Sequence, residues 1–453
     1  MCSKLIPLLA CVLGIMAPLF SAHADDDSLS SQFQAMVGNT NPSQEEWSLH
    51  GQTTAIYQGY PSFHAPYSGA NSLSPQEQWK NTTTGTLFLG RRLWEGAEVY
   101  YDPELYQGVG LSDTFGAAGF PNGEANKAGG YTIKTGTARL FVRQVIGLGG
   151  ATEQIAAGQN QLAGKQDIAR ITLTAGTFAA TDIFDANGYS HDARTQFLNW
   201  SLMSSGAWDA PADARGYTNG FAAELNQESW ALRYGVFMEP NQPNQSDLAF
   251  HGVDNVGQVV ELEERYSIDQ NPGKTHVLFF YNRNREAEFS DALGAADVNA
   301  ALAAARHYGN GKYGFAVNAE QQLADGVGAF TRLSWNDGKT EEWTFTQIDE
   351  SAAIGASVSG KRWGRPDDTW AIAGVVNAIS QEQRQFLEEG GLGIIVGDGH
   401  LNYAPEMIFE TYYAIKLTQY LTLSPDYQFV ANPGYNADRG PANIFAARLH
   451  AEF

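Results

Sequence analysis

Cysteine is almost missing from this chain: only Cys2 and Cys11 occur, both within the first 24 residues. Beyond them no disulfide can form, so stability has to come from a large core or a closed hydrogen-bond system. Charge is sparse as well. Asp, Glu, Lys and Arg make up 17% of the residues, where globular proteins run nearer ~25%. Positive charge is the scarcer sign, with 28 Lys and Arg against 50 Asp and Glu and a formal net charge of −22. That balance excludes nucleic acid as a natural partner. After the first 24 residues no apolar run approaches the ~20 residues of a spanning helix. Sequence motifs of catalysis are missing too. The nine histidines, among them His50, His191, His251, His276, His307 and His400, form no H-E-x-x-H. The stretch GASVSG (355–360) misses the G-x-S-x-G spacing, and no P-loop or G-x-G-x-x-G occurs.

What is present starts with a leader. MCSKLIPLLACVLGIMAPLFSAHADDD carries Lys4, an apolar run from Leu5 to Phe20, and Ala22-His23-Ala24 before three aspartates. It reads as a secretory signal peptide (1–24) cut after Ala24. A rival lipoprotein box at Leu8–Cys11 would leave almost no apolar core before its cut. Removing the leader takes away Lys4 and leaves about 429 residues, with 27 basic against 50 acidic groups. Residues 25–46 are polar and read as an N-terminal lead-in. No composition shift divides 47–453, which reads as one domain.

Within that domain, segments of about ten residues alternate apolar and polar. Leu87, Leu89 and Leu93 share a face, with Arg91 as the exception, opposite Phe88 and Arg92. Val99 and Tyr101 oppose Glu98, Tyr100 and Asp102. Leu140 and Val142 oppose Arg139, Phe141 and Arg143. Ile171 and Leu173 oppose Arg170 and Thr172. Trp230, Leu232, Tyr234 and Val236 oppose Arg233 and Glu239. Met407, Phe409 and Tyr413 oppose Glu410 and Tyr412. The final stretch FAARLHAEF sets Phe445, Ala447, Leu449, Ala451 and Phe453 on one side. An aromatic at the last position of such a strand points to a use for the strand end itself. Each segment alone fits a soluble antiparallel sheet equally well. Lone charges repeated on the polar face fit a water-filled interior better. The reading is therefore all-β, a transmembrane antiparallel β-barrel with short loop helices.

Turn signals separate the strands: Asn-Asp-Gly at 336–338, Pro-Asn-Gly at 121–123, and Asn-Pro-Gly at 271–273 and 432–434. Trp79, Trp94, Trp230, Trp335, Trp343 and Trp363 are candidates for interfacial girdles. The alanine-rich stretch 291–309 predicts a short helix in a loop. The glycine-rich stretch 112–130 has no strand period and reads as a long loop, folded inward or exposed.

Blocks spread over most of the chain resemble the carbohydrate-selective outer-membrane porins, the OprB family. They include WSLHGQTTAIYQGYPSFHAPYSGANSL (47–73), RLWEGAEVYYDPELYQGVGLS (92–112), GFPNGEANK (119–127) and AGTFAATDIFDANGYSHDARTQFLNWSL (175–202). YGFAVNAEQQL (313–323), SWNDGKTEEWTFTQID (334–349), GDGHLNYAPEMIFETYYAIKL (397–417) and the last 31 residues continue the series. The resemblance implies sixteen strands in a bacterial outer membrane, diffusion of sugars such as glucose, and a terminal Phe453 strand read by the barrel-assembly machinery. About 27 residues per strand and connection agree with that number.

For a sugar channel, hydroxyls need charged or amide partners and C–H faces need aromatics, held loosely enough for release. Strand parity nominates Arg92, Glu98, Tyr100, Asp102, Arg139, Arg143, Arg170, Arg233 and Glu410 as sugar contacts. Arg92, Arg139, Arg143 and Arg170 lie on successive strands and are expected to stack as a basic ladder that disfavours cations. The same side chains would otherwise just keep the wall wet. Glu261/Glu263 and Glu341/Glu342 resemble glycosidase acid pairs, but solvated charge is the plainer reading. No cofactor or metal is expected, and GDGH (397–400) reads as a turn. The other readings are a secreted β-rich carbohydrate-binding protein or glycoside hydrolase, and a barrel enzyme with a catalytic group in its wall.

Overall fold

The computed structural model describes residues 44–125, 130–345 and 347–453. The expected signal peptide and residues 25–43 of the lead-in lie outside them. Seventeen strands share one sheet, and sixteen of them close it into a ring. The first eight are β1 (Trp47–Tyr60), β2 (Gln78–Trp94), β3 (Ala97–Gln107), β4 (Lys134–Gly147), β5 (Arg170–Phe178), β6 (Thr218–Asn226), β7 (Trp230–Pro240) and β8 (Val256–Ile268). The second eight are β9 (Asn271–Asn284), β10 (Asn310–Ala324), β11 (Val327–Asn336), β12 (Glu350–Ser359), β13 (Thr369–Ala378), β14 (Glu406–Lys416), β15 (Leu421–Ala431) and β16 (Ala442–Glu452). The seventeenth, Leu248–Ala249, only extends the edge of β7. Successive strands pair antiparallel, and β16 pairs with β1 to close the ring, with Ala55 opposite Leu449. Closure leaves the ring of sixteen strands without a free edge.

Alternation decides which side chain faces which way. Leu87 (46% exposed), Leu140 (49%), Phe279 (59%) and Ile354 (69%) point outward. Their polar neighbours turn inward and are buried, among them Asp102, Arg332, Glu406, Glu410, Gln428 and Arg448. Apolar outside and charged inside is the inverse of a water-soluble fold and suits lipid around the ring. None of the described helices is long and apolar enough to cross a membrane.

The two ends of the ring differ. At one end the connections are mostly tight. β8 turns into β9 through Asp269 and Gln270, with φ of 50° and 68°, the left-handed pair of a type I′ hairpin. The Asn-Pro-Gly read as this turn instead begins β9. One connection at this end is long and carries a hairpin of its own, Thr152–Ile155 against Gly164–Asp167. At the other end the connections are long and fold back inside the ring. Phe184, Phe197, Trp208, Phe289, Trp343 and Tyr435 from these loops are all 2% exposed or less. Trp343, expected in a girdle, is therefore an interior residue, and its Nε1 donates to the Pro240 carbonyl at 2.7 Å. Trp94, Trp230 and Trp363 do face outward, joined by Trp370. The loops hold three short α-helices among the described residues: α1 (Trp200–Met203), α2 (Val298–Ala305) and α3 (Gln381–Glu388). The alanine-rich stretch thus gives only α2, begun by Asp297, whose side chain caps Ala300 N–H.

Candidate functional site

Two inward loops shape the interior, 108–125 after β3 and 179–217 after β5. Both are held by carboxylates of β14. Glu406 accepts the N–H groups of Ala118, Gly119 and Gly434 at 3.0, 2.7 and 2.8 Å. Glu410, four residues along the same face of β14, accepts those of Leu198 and Asn199 at 2.6 and 3.0 Å. Arginines of other strands hold loop carbonyls: Arg332 bonds Leu202 O at 2.9 Å, and Arg448 bonds Ala193 O at 2.7 Å. A loop packed inside a barrel must find partners for its backbone groups, and buried wall charges supply them. Phe197 adds apolar fixing against Tyr412 and Phe330, with ring centroids 5.1 and 5.7 Å away.

Between the loops and the wall lie two adjoining cavities. The smaller, about 120 Å³, lies toward the long-loop end. Phe120, Trp200 and Phe345 make an aromatic stack along it, with centroids 5.2 and 5.1 Å apart. The larger chamber, about 1210 Å³, reaches toward the tight-turn end. The two share Glu124, Thr181, Arg194, Arg215, Gly216 and Tyr217, which therefore form the throat. Arg194 bonds Glu124 at 3.1 Å and Glu104 at 3.3 Å. Tyr217 donates its hydroxyl to Glu104 at 3.1 Å. Arg215 pairs with Asp213 at 3.2 Å. Burial works against the Arg194 charge, but Glu124 and Asp192 outweigh it, so the guanidinium stays charged. Burial and then Glu104 push the Tyr217 hydroxyl upward, which keeps it a donor.

Six of the nine side chains nominated from strand parity line the larger chamber: Arg92, Glu98, Arg139, Arg143, Arg170 and Arg233. They are not stacked arginine on arginine. The register runs Arg92, Glu98, Arg143, Thr174 across four strands, so a carboxylate separates the guanidinium groups. Arg92 lies 3.2 Å from Glu98. Arg139 bonds Asp182 at 2.7 and 2.6 Å and lies 3.6 Å from Asp102. Arg170 bonds Glu153 at 2.6 Å. Arg233 is spent on Glu224, Glu261 and Glu263 at 2.6, 2.8 and 2.7 Å. Glu261 and Glu263 are thus buried ion-pair partners, not the solvated charges expected of them, and Glu341 likewise pairs with Arg306. Tyr100 and Asp102 sit beneath the chamber wall, bonded to the turn of the 152–167 hairpin. Glu410 lies away from the chamber, under the 179–217 loop.

The throat itself escaped the sequence reading. Arg194, Arg215, Glu124 and Trp200 belong to loops without a strand period, and no local pattern points them inward. One hint was available in the glycine-rich 112–130 stretch. Its Ala117, Ala118 and Phe120 are buried inside the ring, which settles its described part as an inward loop.

The family model of the carbohydrate-selective porins, OprB family, matches residues 70–453. Among solved structures, the high-pH form of OprB from Pseudomonas putida aligns with a TM-score of 0.66 at 15% identity, covering 90% of this chain and 94% of that one. The outer membrane channel DcaP of Acinetobacter baumannii aligns with a TM-score of 0.50 at 9% identity, covering 90% and 97%. At such identities the likeness concerns the fold. No curated protein matches this chain. Sixteen antiparallel strands in a closed ring, apolar without and polar within, are the frame of an outer-membrane channel.

Proposed function

Because this chain belongs to the carbohydrate-selective porin (OprB) family, we propose that it passes monosaccharides such as glucose, and short neutral sugars, by passive diffusion into the periplasm. The observation that carries this reading is the throat. Arg194 and Arg215 stand there among Glu104, Glu124 and Asp213, and the Arg139–Asp182 pair lies just beyond on the chamber side. Mixed charge at close spacing offers donors and acceptors to hydroxyls while penalising an ion of either sign. The Phe120–Trp200–Phe345 stack next to it offers faces for sugar C–H groups. Arg194, Arg215, Glu104, Glu124 and Tyr217 are the contacts we assign, with Arg139 and Asp182 on the chamber side. Arg92, Tyr100, Asp102 and Arg143 hold the hairpin turn, Glu98 pairs with Arg92, and Glu410 holds a loop. Residues 1–24 act as the export signal, cut after Ala24, and the β16 end with Phe453 is the segment that the barrel-assembly machinery reads. No catalytic role is assigned.

Proteoliposome swelling with a series of neutral sugars, charged sugar acids and salts tests the reading. Glucose should enter faster than disaccharides and faster than gluconate. Equal rates for neutral and charged solutes of one size would refute it.

A further inference from the structure

The connection from 148 to 169 stands out because it is long, yet it lies at the end where β2 meets β3 and β8 meets β9 through two-residue turns. Its hairpin pairs Thr152 with Asp167 and Ile155 with Gly164. The turn it carries is anchored to three strands of the wall. Asn160 donates its amide to Asp102 at 2.8 Å, and Arg143 donates to Asn160 O at 2.9 Å. Leu162 N–H reaches the Tyr100 hydroxyl at 3.1 Å, and Arg92 reaches Ala163 O at 3.3 Å. Glu45, ahead of β1, clamps Ala163 from both sides: its N–H bonds Ala163 O at 2.9 Å, and its carboxylate accepts Ala163 N–H at 2.8 Å. Leu162 and Ala163 are buried. Gln159, Asn160, Gln161 and Gln166 line the 1210 Å³ chamber. A dangling hairpin would need none of these bonds, and one held from three strands cannot swing aside as a flap.

We propose that the 156–163 turn is a second, exit-side constriction, whose Gln159 and Gln161 carboxamides contact the departing sugar and set the upper size of solute that leaves the chamber. This rests on the sugar-channel reading above. A solute then meets two narrowings in series: a charged throat that sorts by charge and hydroxyl pattern, and a neutral amide rim that sorts by size. Amide groups suit the second role, since they bond hydroxyls without attracting ions. The wall residues Arg92, Tyr100, Asp102 and Arg143 thereby act through the turn they position.

Two variants test this in opposite directions. Deleting 151–168 leaves Leu148 and Ala169, already bonded at 2.9 Å, joined through Gly149 and Gly150, whose positive φ values of 83° and 97° suit a tight turn. Single-channel conductance should rise about twofold, and trisaccharide swelling should rise relative to glucose, while block by glucose at the throat is kept. Gln159→Trp places bulk at an exposed rim position and should lower conductance and trisaccharide flux without altering the fold. Unchanged conductance and unchanged size cut-off in both folded variants would overturn the proposal. Loss of glucose block in the parent channel would instead overturn the sugar reading, and the conductance shifts would still judge the rim.

Discussion

Phe453 and Gly51 exchange both backbone hydrogen bonds, at 3.0 and 3.1 Å, and the Phe453 ring occupies the space that a side chain at position 51 would fill. A Cβ built on Gly51 would lie 2.5 Å from that ring. This pair extends the seam between β1 and β16. Phe453→Ala should keep the backbone bonds and lose ring packing, costing about 1–2 kcal/mol for a half-buried aromatic. Urea unfolding in detergent, followed by heat-modifiable migration, measures it. Gly51→Leu should cost at least as much, because it evicts the ring from the other side of the same contact.

Arg194 balances Glu104 and Glu124 at the throat. Arg194→Ala leaves two carboxylates facing the passage. Reversal potentials in a salt gradient should shift toward cation selectivity by about threefold or more in permeability ratio. Arg194→Lys restores the charge but not the fork that reaches Glu124 and Glu104 together, so it should recover ion selectivity more fully than glucose block.

Trp200 stands in the middle of the aromatic stack. Trp200→Ala removes the central apolar face. Block of ion current by glucose should weaken about tenfold, equivalent to ~1.4 kcal/mol, with conductance unchanged or raised. Weakened block together with preserved ion selectivity would separate this role from that of Arg194.

Glu410→Ala should act differently from a lost sugar contact. It strips the Leu198 and Asn199 N–H groups of their acceptor, and each buried orphan costs ~1–3 kcal/mol. Greater open-channel noise and a lower unfolding temperature are expected, with Glu410→Gln intermediate because one acceptor oxygen remains. If Glu410→Ala changed glucose block alone, with a quiet and stable channel, the residue would be a sugar contact after all.

Asp182 gives a pH signature. Partial burial raises its carboxyl, but the Arg139 guanidinium, at 2.7 and 2.6 Å, more than offsets this and holds the group below its ordinary 3.8. A depressed carboxylate contributes stability that is present above the unfolded value and lost as pH falls through the folded one. The Arg139–Asp182 tie should therefore be intact from neutral pH to about 4, and fail only below that. A conductance step on acidification below that point should mark the loss of this tie. Asp182→Asn should remove the acid step.

The wall was legible from sequence because its information is local. In Arg139–Arg143 and in Phe445–Ala447 each residue's facing follows from its immediate neighbours, and Leu140, Val142, Phe445 and Ala447 are exposed as the alternation requires, whereas Ala451, at the end of the last strand, is buried. The interior was not legible, since its partners are remote. Leu198 and Glu410 are 212 residues apart, and nothing in Glu410's surroundings distinguishes an acceptor for a loop from an acceptor for a sugar. The same holds for Trp343. Near the end of a strand it reads as a girdle residue, whereas the loop that carries it turns inside to meet Pro240. Register also corrected parity. Parity put four arginines on the inner face, but pairing across strands set Glu98 between Arg92 and Arg143.

The loops that narrow the bore leave the wall after β3 and β5, while the carboxylates gripping them sit on β14. A wall still lacking β14 would hold both loops without these grips, and its calibre would be less tightly set. Completion of the last strands and sizing of the hole are therefore one event, so an unfinished molecule is a leak and only a finished one is a filter.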